Sequence, residues 1–191
     1  METKQVKKKT DPKVASKINL FDKNIICLYK DIGEAQAEEI VRDLLKLDSI
    51  KSKKDITFYI NSPGGNTSHG LAIYDTMRMI KSDIKTVCIG RCASMAAILL
   101  SGGTKGKRYI TPNSEVMIHE VSAVSMGKIA DVKVNFEHIT KVSERMIKIL
   151  SDNTGQSIEQ IKNDILKDKW FNAEEAIEYG LVDKVLTKNE I

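Results

Sequence analysis

Short β-branched runs alternate with stretches whose apolar residues recur every three or four positions, and this alternation limits the fold more than any other feature of the chain. NIICL (24–28) reads as a strand. GEAQAEEIVRDLLKL (33–47) places Ala37, Ile40, Val41, Leu44 and Leu45 at helical spacing, with acids in its early turns where the macrodipole favours them. DITFYI (55–60) is a strand broken by NSPGG (61–65), and a helix is expected from about Ser68 to Ile80. TVCI (86–89) is a strand, and helix formers from Ser94 to Leu100 stop at Ser101-Gly102-Gly103. KRYI (107–110) and EVMI (115–118) are strands joined by the turn TPNS. Ile129 to Leu150 forms a long amphipathic helix. Asn172 caps a short helix with Glu175 at its third position, Gly180 ends it, and LVDKVL (181–186) is a closing strand. Such alternation without internal repeats predicts one α/β domain with crossover connections.

At 191 residues, 41% hydrophobic and 29% charged, the chain matches an ordinary globular protein, although only 5% of it is aromatic. No apolar run approaches the roughly 18 residues of a membrane span. METKQVKKKTDPK is basic without an apolar stretch behind it, so residues 1–17 read as a flexible arm, not a secretory leader, and residues 18–191 as the folded domain. The net charge of +4 gathers in that arm and in KSKK (51–54). No aromatics are interleaved with these lysines, which argues for solvated segments against a nucleic-acid surface. Cys27, Cys88 and Cys92 lie in or beside apolar segments without metal-ligand spacing, as expected of free thiols in a reducing cytoplasm.

Three segments can carry chemistry, and each also has a plain structural reading. Ser94 in GRCASMAA (90–97) falls where a strand hands over to a helix. That position suits either a helix cap or a nucleophile beside backbone N–H groups. Gly64 and Gly65 suit either a simple turn or a loop whose N–H groups line an oxyanion hole. His119 at the tip of EVMIH is a structural or a catalytic imidazole, whereas His69 and His138 read as surface residues. Spacing alone does not choose a partner for His119 among Asp131, Asp152, Asp164 and Asp168.

Six segments in order, YINSPGG (59–65), GLAIYDTM (70–77), GRCASMAA (90–97), GTKGKRYITPNSEVMIH (103–119), NTGQSIEQI (153–161) and AEEAIEYGLVD (173–183), resemble the proteolytic subunit of the Clp protease, the ClpP family. The resemblance covers roughly residues 25–186. It implies a crotonase-related α/β fold: a single domain of stacked β-sheet layers with helices around them and a protruding handle helix. It also implies an ATP-dependent serine endopeptidase of the cytoplasm that cleaves unfolded polypeptides, with neither a nucleic-acid nor a membrane partner. Such subunits form heptameric rings stacked as a tetradecamer and fed by an AAA+ unfoldase. The partner consumes the ATP, and the subunit itself needs no cofactor and no metal.

By the same resemblance Ser94 is the nucleophile and His119 the general base. Asp168, the second of two aspartates four apart in DILKD, orients the histidine, and Asp164 is the other. The oxyanion donors are the N–H groups of Gly65 and Met95, and Tyr59 and Met79 fall in the unfoldase-docking cleft. Glu-Val follows His119 where the family usually has Gln-Pro, and SAVSMGK replaces a glycine-rich strand. Cys92 stands for an alanine and Ala96 for a glycine, and the lysine-rich arm replaces an apolar pore-lining segment. A non-catalytic or specialised subunit of a mixed ring and a crotonase-type acyl-CoA enzyme are the alternative readings.

Overall fold

A computed structural model describes residues 19–50 and 54–188. The expected basic arm, its boundary with the domain and most of the KSKK loop lie outside the described residues. A 3-10 turn, Phe21–Lys23, leads into β1 (Ile25–Leu28), α1 (Glu34–Ser49), β2 (Ile56–Ser62) and α2 (Thr67–Met79). Then come β3 (Ile84–Ala93), α3 (Met95–Ser101), β4 (Arg108–Ile110), β5 (Glu115–Ile118) and α4 (Ile129–Thr154). α5 (Ile158–Asp164), β6 (Lys169–Phe171), α6 (Ala173–Tyr179) and β7 (Lys184–Val185) complete the order.

β1, β2, β3, β4 and β7 lie side by side and parallel, as helical crossovers require. β3 runs longer than TVCI suggested because it serves two neighbours. Thr86–Cys88 pairs with β4, and Arg91–Ala93 pairs with β5. Between these halves the ladder with β2 shifts register after Ile60, and Gly90 turns with φ +77. Side chains replace the lost ladder partners: Ser114 Oγ accepts from the Gly90 N–H at 2.6 Å, and Asn61 Oδ1 from that of Arg91 at 3.3 Å. The second half of β3 thereby carries a further layer, β5 with β6 antiparallel beside it, and aims its end at the interior.

That interior holds α3, all seven residues of which are buried. A helix apolar on every side belongs in a core, and Ala96 and Ala97 let its neighbours approach closely. Phe58, Ile60, Leu28 and Leu44 belong to the same buried core. α4 contrasts with it. Met146, Ile147 and Leu150 at its C-terminal end are buried, while Ile129, Val134 and Phe136 are 91%, 64% and 68% exposed. At 26 residues the helix is about 39 Å long, so its first half protrudes. The α/β fold with layered sheets and a protruding helix is therefore as expected.

Some boundaries differ from the sequence reading. α5 and β6 have seven and three residues, too short for a periodic signal. β7 is shorter than LVDKVL because the Leu181 and Val182 N–H groups both donate to Ala176 O, closing α6. The capping box of Asn172 and Glu175 is present as read. No helix among the described residues is long and apolar enough to cross a membrane.

Candidate active site

Ser94 joins β3 to α3 with φ +57 and ψ −125, a conformation that L-residues rarely adopt and that costs about 1–3 kcal/mol. Its N–H is held by Met117 O on β5 at 2.9 Å. Its hydroxyl makes no capping bond to α3, so the cap reading fails. Instead Oγ lies 2.8 Å from Nε2 of His119. With Nε2 unprotonated, the hydroxyl donates.

Cys92 does not share this exposure. It is fully buried on β3, its thiol donates to Ile60 O at 3.4 Å, and burial pushes that thiol well above its ordinary range. A thiol held protonated in the core is chemically inert. It packs as a small apolar side chain of the core.

His119 is the first residue past β5. The antiparallel pair of Ile118 with Lys169 sets the residue before β6 opposite the residue after β5, which brings Asp168 to His119. Oδ1 of Asp168 is 3.3 Å from Nδ1 of His119, an ion-pair distance that is long for a charge-assisted hydrogen bond. The Asp168 side chain is 61% exposed. The other aspartates that spacing left open are elsewhere. Asp131 is in the first turn of α4, Asp152 pairs with Lys148 at 2.6 Å, and Asp164 is bound by Lys169 and Tyr179.

NSPGG packs directly against the serine. Gly64, at φ +96, has no room for a side chain: a Cβ there would sit 2.7 Å from both Ala93 O and Ser94 Cβ. Gly65 bridges to Ile32 in parallel fashion through bonds that use the flanking Gly64 O and Asn66 N–H. The Gly65 N–H consequently turns away from Ile32. Met95 is the first residue of α3, where an N–H has no intrahelical acceptor. Its side chain is buried against Gly70. Gly65, Ser94, Met95 and His119 line one cleft, whose apolar wall comes from Ile98, Ile118, Met146, Ile147, Leu150 and Ile165.

The remaining sequence candidates lie apart from this cleft's lining. Tyr59 is half-buried on β2 opposite Cys27, and Met79 ends α2 with 75% exposure. His138 is exposed on α4 as read. His69 is half-buried, and its Nδ1 is buried without a partner. The ion pair of Asp164 with Lys169, on either side of the Asp168 loop, has no signal in the sequence beyond a carboxylate and an amine five residues apart in DILKDK.

A family model described as Clp protease matches residues 8–189, and the chain belongs to that family. It is a peptidase of the Clp proteolytic-subunit type.

Proposed function

We propose that this Clp protease family member is a serine endopeptidase with Ser94 as nucleophile, His119 as general base and Asp168 as the acid that orients His119. The observation that carries the reading is the 2.8 Å contact between the hydroxyl of a backbone-strained serine and an imidazole nitrogen. Strain of this kind persists where the surroundings impose it, and it turns Oγ away from the helix end it would otherwise cap.

Each step then has a named atom. Ser94 Oγ forms a bond to the scissile carbonyl carbon while its proton passes to Nε2 of His119. The oxyanion is met by the Gly65 and Met95 N–H groups, donors fixed before the charge appears. Collapse breaks the C–N bond, and His119 returns the proton to the leaving amine. Water, deprotonated by the same imidazole, hydrolyses the acyl ester. Asp168 holds Nδ1–H and favours the imidazolium. The apolar wall between α3 and α4 accommodates a hydrophobic side chain next to the scissile bond.

The wider reading is that of a self-assembling cytoplasmic subunit, stacked in heptameric rings as a tetradecamer and supplied with unfolded polypeptide by an AAA+ unfoldase that consumes the ATP. Its support is the uncovered apolar half of α4 and the exposed Met79 near α2's end, together with the general habit of the family. A fluorophosphonate probe tests the chemistry. The assembled wild type and Ser101→Ala, whose hydroxyl is buried on Ile98 O, are expected to be labelled. Ser94→Ala is not. An unlabelled wild type overturns the protease reading, and a stable monomer in light scattering at micromolar concentration overturns the chamber.

A further inference from the structure

We propose that Asp164, Lys169 and Tyr179 are positioning residues: they form a clamp across the base of the loop 165–168 that sets where the Asp168 carboxylate meets His119. The inference rests on the Ser94–His119–Asp168 reading above.

The loop needs such a device. Leu166, Lys167 and Asp168 are all exposed, and among the described residues the Asp168 carboxylate has His119 as its side-chain partner. With its tip exposed, the loop's position is determined where it enters and leaves. On entry, Ile165 O accepts from the Glu120 N–H at 2.9 Å, tying the residue three before Asp168 to the residue after His119. On exit, Lys169 is paired with Ile118 on β5.

The clamp joins these two ends. Asp164 is the last residue of α5 and Lys169 the first of β6, and Lys169 Nζ lies 2.5 Å from Asp164 Oδ1. Oδ2 of Asp164 accepts from Tyr179 O–H at 2.7 Å and from Gln160 Nε2 at 2.9 Å. The lysine ammonium also sits over the Phe171 and Tyr179 rings, at 5.5 and 5.2 Å from their centroids. The Asp164 side chain is only 11% exposed. Burial pushes its carboxyl up, but the bonds from Lys169, Gln160 and Tyr179 outweigh this and hold it below the usual carboxylate range. Burial, with the bond to Asp164, pushes the Tyr179 phenol up, so it stays a donor. A charged, doubly anchored pair therefore spans four loop residues whose last member has to meet an imidazole at 3.3 Å. Loss of the pair lets that member drift without disturbing Ser94, while Ile165 stays in the cleft wall, buried and bonded to the Glu120 N–H.

The test is a double-mutant cycle on the full-length assembled protein, read by fluorogenic-peptide turnover and fluorophosphonate labelling rate. Lys169→Met and Asp164→Asn are expected to lower kcat by about 10²-fold, the loss typical of an ångström-scale misplacement. KM stays within about twofold, because the peptide-binding cleft is intact. Lys169→Arg restores kcat. Adding Lys169→Met to Asp168→Asn costs nothing further, since a displaced carboxylate and an absent one are equivalent. Should Lys169→Met fail to fold by circular dichroism, Tyr179→Phe, which keeps the ion pair, enters the same cycle with an expected several-fold loss. Equal losses in the wild-type and Asp168→Asn backgrounds overturn the proposal, as does an unchanged kcat in folded clamp variants. If Asp168→Asn itself retains full activity, the triad reading falls first and the clamp with it.

Discussion

Replacing Gly64 by alanine tests how the turn after β2 supports the serine. The new Cβ would lie 2.7 Å from Ala93 O and from Ser94 Cβ, where ordinary contact begins at 3.4 Å. Neither neighbour is the end of a flexible side chain, so the two segments must separate by about 0.7 Å, a distance comparable to the displacement that costs about 10²-fold in rate. The substitution also places an L-residue at φ +96, which costs about 1–3 kcal/mol. Gly106→Ala separates the two effects. It has a similar φ of +85 and nothing within 4 Å, so it carries the backbone cost without the collision. Both variants are expected to melt a few degrees lower. Gly64→Ala alone should lose peptidase turnover, by roughly 10- to 10²-fold, with a matching drop in fluorophosphonate labelling. Turnover within about twofold of wild type in folded Gly64→Ala, or equal losses in both variants, would refute the argument.

Arg108 holds together elements remote from the cleft. Its side chain, 4% exposed, pairs with Asp183 at 2.7 Å and donates to Ser101 O, Asn153 O and Gly180 O near the ends of α3, α4 and α6. Arg108→Met is expected to cost about 3–5 kcal/mol, since it strands a mostly buried carboxylate. Differential scanning fluorimetry at fixed protein concentration should show a fall in Tm on the order of 10 °C. A fall under about 2 °C counts against the buried-pair account. Asp183 gives a pH prediction: burial raises its carboxyl, but the Arg108 bonds prevail and hold it below the usual range. Its stabilisation is complete above the unfolded value of about 4 and is lost as pH falls through the lower folded value. Wild-type Tm should therefore fall between about pH 5 and pH 3 more steeply than that of Asp183→Asn. Parallel curves contradict this.

The strands of the parallel sheet and the longer helices were legible because their signals are local: β-branched runs, three-and-four periodicity, and the Asn172–Glu175 box. Apart from the family resemblance, the site was legible only as separate hints. Ser94 resembles a cap in sequence, and what removes it from that role is a bond from its N–H to Met117 O, on a strand from a later segment of the chain. The choice among four aspartates depends on β6, whose three residues pair with β5 and carry no period of their own. Gly90 reads as a strand end because the Ser114 and Asn61 side chains that carry the chain past it come from other segments. The apolar stripe of α4 is plain in the sequence, yet Ile129, Val134 and Phe136 in its first half stay exposed in the described chain.

The positive φ of Ser94 has an evolutionary consequence. A residue that costs about 1–3 kcal/mol is a large liability when a domain's whole net stability is about 5–15 kcal/mol. Glycine at position 94 would remove that cost in a single substitution, whereas alanine would keep it. A lineage in which the cleft had fallen idle would gain stability by giving up its serine, and drift would run in that direction. As the nucleophile proposed above, Ser94 would be a residue that selection has to hold in place against the fold's own preference.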